Sequence, residues 1–170
     1  MNVYAVDKLI EQARQLAADY RKTTGKPLPG VSNEIAEYDA TTLLGLTLCE
    51  DRTAGFDAIR DADEGPQRVQ IKGRTIFNDN FRGQRLGQLK IDKTWDSVVL
   101  VLMDEQYEPF DIYEASREDI LENINTPSEQ RKKRGAMSVA RFINISQLVW
   151  SREDGLIEDK IGRASCRERV

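Results

Sequence analysis

The chain has 170 residues, enough for one domain with a core of its own; 32% of them are charged and the formal net charge is −4. It contains no histidine and only two cysteines, which excludes Ser-His-Asp and Cys-His hydrolases, histidine zinc sites and a disulfide framework. Any catalysis therefore has to run on carboxylates, lysine, tyrosine, serine or a metal held by oxygen ligands.

At the N-terminus Leu9, Ile10, Ala13, Leu16, Ala17 and Tyr20 recur at three- and four-residue steps, which predicts an amphipathic helix over residues 4–23. This segment is acidic and periodic, unlike a signal peptide, and no stretch of the chain is long and apolar enough for a membrane span, so a cytoplasmic protein is expected. Gly25, Pro27, Pro29 and Gly30 end the helix. Ser32 or Asn33 is then expected to cap a second helix, with Glu34 in its first turn, Ile35, Ala36, Ala40, Leu43 and Leu44 on one face, and Gly45 near its end. Cys49 reads as lying at the apolar end of that helix.

From residue 46 the period shortens. Strands are expected at 55–60, 68–75, 87–91, 97–103 and 110–115, and SVVLVLM, without polar alternation, reads as a central strand buried on both faces. Ser116 then caps a helix in REDILENI, and one or two short elements follow a basic cluster at Arg131, Lys132, Lys133 and Arg134. The order of elements predicts an α/β fold, one mixed sheet flanked by helices, as a single domain over residues 1–160 with its core at 30–150. The last ten residues, IGRASCRERV, read as the in-frame translation of a sequencing adapter and are set apart as non-native. They carry Cys166 and a net charge of +2, so the remainder has Cys49 alone and a charge of −6.

The chemistry concentrates in GFDAIRDADEGPQRVQIKGR, residues 55–74. Val69 and Ile71 alternate with Gln70 and Lys72, so the two polar side chains share one strand face. If this strand pairs as a hairpin with the one carrying Asp57, then Asp57, Gln70 and Lys72 converge at one sheet edge, within reach of Glu34. Asp57, the backbone carbonyl of Ile71 and Glu34, directly or through water, offer hard oxygen ligands to Mg²⁺ or Mn²⁺. Lys72 is suited to orient or help deprotonate a water and to stabilise charge building on a phosphate.

Glu34, Gly45, GFDAI and VQIKGR together resemble the PD-(D/E)XK nuclease superfamily, the restriction-endonuclease-like fold, in its variants with glutamine at the second acidic position. The spacing is similar to that of Mrr-like restriction nucleases and Holliday junction resolvases, and residues 30–150 look like an uncharacterised bacterial branch. The resemblance implies a central mixed sheet flanked by helices, with Asp57 as the metal aspartate, Gln70 as the substituted acidic position, Lys72 as the catalytic lysine and Glu34 as the helical glutamate. Phe56 stands where the motif has proline, Gln70 removes a charge from the metal site, and Glu37 competes with Glu34 for its role.

Although the chain is acidic, residues 72–93 carry Lys72, Arg74, Arg82, Arg85, Lys90 and Lys93 against Asp79 and Asp92. Such a strip suits a phosphate backbone, with FNDNFRGQR as a loop supplying Phe77, Phe81 and Arg82, and Arg131, Lys132, Lys133 and Arg134 as a second contact. Trp95 and Trp150, beside apolar strands, are expected in packing rather than in base stacking. DNA is the expected partner, and the short chain leads to the expectation of a homodimer or a specificity subunit. The alternatives are a nucleic-acid-binding module of the same fold without catalysis, and an interaction protein in which Asp57 and Lys72 form only an ion pair.

Overall fold

A computed structural model describes residues 5–51, 54–77, 84–124 and 137–157. Phe81, Arg82, the basic cluster Arg131, Lys132, Lys133 and Arg134, and the C-terminal tail lie outside the described residues. Helix α1 (Val6–Thr24) ends at Gly25, whose left-handed backbone (φ 78°) lets its N–H donate to the Arg21 carbonyl. Helix α2 (Val31–Leu44) ends in the same way at Gly45, with φ 70°.

The start of α2 corrects the expected cap. The helix begins at Val31 after Gly30, and neither Ser32 nor Asn33 caps it. Asn33 instead turns its amide oxygen outward, where it accepts from the Gly73 N–H at 3.1 Å. A bond to another element replaces the local one because the first turn of α2 lies directly against the sheet.

Seven strands follow: β1 (Thr47–Leu48), β2 (Ala58–Arg60), β3 (Gln67–Thr75), β4 (Ser97–Met103), β5 (Pro109–Ser116), β6 (Gln147–Ser151) and β7 (Gly155–Leu156). They lie in one sheet in chain order. Every neighbouring pair is antiparallel except β3 and β4, which are parallel over Val69–Thr75 and Ser97–Met103. The sheet is therefore mixed, as expected, and all seven residues of β4 are buried. Helices α3 (Arg117–Asn123) and α4 (Val139–Ile145) complete the described elements, with the Ser116 and Ser138 hydroxyls accepting from the Asp119 and Arg141 N–H groups.

Alternation along the strands makes two cores. Val69, Ile71, Val99 and Val101 pack with Ala17, Ile35, Ala36 and Ala40 of α1 and α2. Val98, Leu100 and Leu102 face the other way, onto Leu86, Leu89, Trp95, Ile120 and Phe142. Trp95 is fully inside this second core and Trp150 is half-buried against the first, so both serve packing as expected. Cys49 departs from its expected place: it follows β1, half-buried, and its thiol donates to the Asp51 carbonyl.

The expected strand at 87–91 does not form. A parallel pair needs a long crossover, and residues 84–96 supply part of it as irregular backbone, with Gly87 at φ 83° and Lys90 at φ 53°. Leu89 and Ile91 are two apart, as on one face of a strand, and both pack into the second core, Leu89 fully buried and Ile91 half-buried. Side chains rather than a strand partner take the carbonyls: Arg74 Nε donates to Arg85, Trp95 Nε1 to Lys90, and Arg117 to Ile91 and Lys93.

Close packing of α2 on β3 depends on Gly73. A Cβ there would lie 2.5 Å from the Ala36 Cβ and 3.0 Å from the Ser32 carbonyl oxygen. Gly73→Ala is expected to lower stability by about 1–3 kcal/mol, since α2 has to move off the strand. Urea unfolding of the two proteins measures this directly; an unchanged midpoint would show that α2 does not sit this close.

Candidate active site at the β3 edge

Strand β3 runs beyond β2. Register pairs Ala58 with Val69 and Arg60 with Gln67, and β2 starts only at Ala58. From Ile71 onward the β2 side of β3 has no strand partner among the described residues, and side chains fill the place. The Asp57 carboxylate accepts from the Ile71 N–H at 2.7 Å, and Asn33 accepts from Gly73 two residues on. Asp57 is itself positioned by the ladder, its N–H donating to Val69 and its carbonyl accepting from Cys49. Strand geometry directs the Ile71 carbonyl to the same edge as its N–H.

The hairpin thus brings Asp57 to the strand that carries Gln70 and Lys72. Those two side chains, with Arg74, lie on the face of β3 covered by the crossover, because Val69, Ile71 and Gly73 face α1 and α2. Burial pushes the Lys72 ammonium below the usual lysine pKa range; Asp57 opposes that shift, while the positive charges of Arg74 and Lys90 add to it. Burial likewise lowers the Arg74 guanidinium. One carboxylate therefore faces several cations around a partly desolvated lysine, an arrangement complementary to an anionic ligand.

The remaining expected residues are placed as follows. Gln70 is 3% exposed and its amide nitrogen donates to the Leu89 carbonyl. Arg74 commits two donors to backbone, Nε to Arg85 and Nη1 to its neighbour Gly73. Arg85, Lys90 and Lys93 are exposed on the crossover. Glu34 is exposed in the first turn of α2, and among the described residues it has no hydrogen bond or ion pair; α2 packs on the face of β3 opposite Lys72. Its charge is not among those acting on Lys72. Glu37, one turn on, is half-buried.

Sequence reasoning missed Asn33, which meets β3 directly beside Glu34. Its signal was an amide residue in a helix first turn, read as a cap. It also missed Leu89, whose backbone carbonyl, invisible to residue-type patterns, receives Gln70.

Hard oxygen donors at the edge are the Asp57 carboxylate and the Ile71 carbonyl. Mg²⁺ commonly keeps several waters and takes one or two carboxylates with substrate phosphate, so this donor set fits it. Among the described residues, no group of three Asp, Glu or Cys side chains converges as a ready metal cluster. No helix of the described residues is long and apolar enough to cross a membrane. The fold and the edge site define a mixed α/β protein with an aspartate and a desolvated lysine side by side. No protein-family model matches the chain, and no curated protein matches it.

Proposed function

We propose that this chain is a metal-dependent nuclease of the restriction-endonuclease-like fold, a PD-(D/E)XK-type phosphodiesterase in which Gln70 replaces the second acidic residue. One observation carries the reading: a hairpin seats the Asp57 carboxylate on the Ile71 N–H, beside a desolvated Lys72 two residues from Gln70. The order of helix, hairpin and parallel central strand supports it.

In this reading Asp57 and the Ile71 carbonyl hold Mg²⁺ or Mn²⁺, with Glu34 entering only through water. The bound ion would supply an activated water and neutralise charge on the phosphate. Lys72 holds its ammonium toward the phosphate oxygens, where the low dielectric of its partly buried place strengthens the attraction in the transition state. Arg85, Lys90 and Lys93 flank the site on the exposed crossover and suit the backbone of DNA. In this reading a homodimer or a specificity subunit would supply target choice. The free Cys49 suits the reducing cytoplasm.

A second reading, a binding module without catalysis, is favoured by the commitment of Gln70 to Leu89 and by Asp57 being the one carboxylate acting on Lys72 among the described residues. Cleavage of supercoiled, branched and linear DNA with Mg²⁺ or Mn²⁺, against the same reactions in EDTA, separates the two. Metal-dependent cutting is expected. Binding unaffected by EDTA, with no cutting under any metal, would replace the nuclease by the binding module.

A further inference from the structure

The glutamine of the Q-x-K sequence has a visible occupation. Its side chain is almost wholly buried, and its amide nitrogen donates across to the Leu89 carbonyl. The next residue, Lys90, has a left-handed backbone (φ 53°) that non-glycine residues seldom adopt. Its own carbonyl accepts from the Trp95 indole at 2.9 Å and from the Lys93 N–H at 2.9 Å. Lys90 is therefore clamped on both sides of its backbone, by Gln70 through Leu89 and by Trp95. Its side chain remains exposed, and its charge acts on Lys72 across the face of β3.

We propose that Gln70 is a positioning residue: by holding the Leu89 carbonyl it fixes Lys90 opposite Lys72, and the two ammonium groups form a seat for a nucleic-acid phosphate that needs no metal. This rests on the reading of the β3 edge as a nucleic-acid site, but not on catalysis. It differs from a degenerate metal ligand in what Gln70 does with its donor. The group engaged here is the amide nitrogen, a donor that a metal-ligating carboxylate lacks. A carboxylate at position 70 would meet the Leu89 carbonyl with no proton to offer and would release the crossover.

The test uses the full chain and a short fluorescent DNA duplex, titrated in EDTA across a series of salt concentrations. Variants are Gln70→Leu, Lys90→Gly and the double variant; glycine keeps the left-handed backbone without strain while deleting the charge. Each single change is expected to weaken binding by roughly five- to tenfold, the scale of one hydrogen bond or one charge contact. The double change is expected to cost no more than the larger single one, since both remove the same contact. Lys90→Gly should lower the slope of log affinity against log salt by about 0.9, one phosphate contact. Gln70→Leu, an exchange of one neutral residue for another, should lower it by a similar amount, which a purely structural role would not do.

Wild-type slope in Gln70→Leu, or losses that multiply in the double variant, would overturn the proposal. So would Gln70→Glu binding DNA as wild type while taking up Mn²⁺ more tightly in a calorimetric titration, the result of a restored metal ligand. If Gln70→Leu does not fold, Lys90→Gly alone decides: undiminished affinity and slope there remove the seat. Binding without cutting by the wild type refutes the nuclease and leaves this cycle to decide on Gln70. Absence of DNA binding at low salt refutes both.

Discussion

Lys72→Met is expected to lower metal-dependent cleavage by at least ~100-fold, the usual yield of a positioned charge or proton-transfer group in a transition state, while the protein stays folded. Methionine keeps the length and apolar stem of the side chain and removes only the ammonium. Lys72→Arg is not expected to rescue: a planar guanidinium is larger and presents its donors in a fixed fork, and it has to fit beside Arg74 on one strand face. Folding should not suffer, by the following sign. Lys72 has its folded pKa lowered by burial, and further by Arg74 and Lys90 against Asp57. Between that value and the ordinary lysine value the unfolded chain binds more protons, so this residue makes stability rise with pH through that window. At neutral pH its charge is a cost to the fold, and Lys72→Met should hold or raise the urea midpoint. Cleavage by the wild type should fall on the alkaline side as Lys72 loses its proton, at a pH below the usual lysine range. Cleavage by Lys72→Met within a few-fold of wild type, or an alkaline limb at the ordinary lysine pKa, would remove Lys72 from the chemistry.

Asp39→Ala is expected to destabilise the fold by about 3–5 kcal/mol, the cost of leaving a buried charge without its partner. Arg14 and Asp39 are 6% and 3% exposed, and the guanidinium makes two hydrogen bonds to the carboxylate, one of them 2.9 Å long. Arg14 also donates to the Tyr107 carbonyl at 2.6 Å and approaches Glu108 at 3.5 Å. One side chain of α1 thereby ties α2 to the turn between β4 and β5, where Tyr107 itself adopts φ 62°. Without Asp39 the guanidinium keeps only a backbone carbonyl and the more exposed Glu11 and Glu108. Against a typical domain stability of roughly 5–15 kcal/mol, such a loss leaves a marginal protein. Replacing both partners together by Met and Leu should cost much less than Asp39→Ala, because no charge is then stranded. Urea midpoints at constant m test both statements; a loss under about 1 kcal/mol for Asp39→Ala would mean that solvent reaches Arg14.

Much of the framework was legible because it is local. The step of Leu9, Ala13, Leu16 and Tyr20 predicts α1 to within a residue or two, and SVVLVLM reads correctly as a strand buried on both faces. The seating of Asp57 against the strand that carries Gln70 and Lys72 was legible for the same reason, since β2 and β3 are joined by a short loop and their antiparallel register leaves little choice. GQLKI misled because Leu89 and Ile91 turn inward at the two-residue spacing of a strand, while the hydrogen bonds that would make a strand go to Gln70, Arg74, Trp95 and Arg117. Asn33 misled because its first-turn position suits a cap, and a strand forty residues away took the bond instead.

The amino-acid order alone thus determined the two N-terminal helices, the buried central strand and the hairpin that brings Asp57 to the strand of Lys72, all of which follow from periodicity and from partners close along the chain. The tertiary structure alone decided that Arg14 meets Asp39 and Tyr107, that Asn33 docks on Gly73, and that Gln70 holds the segment carrying Lys90. These contacts join side chains to groups 19 to 93 residues distant. Most of them end on backbone atoms, which every residue possesses and no residue pattern marks, so their pairing is set only when the sheet and its two helical layers close around them.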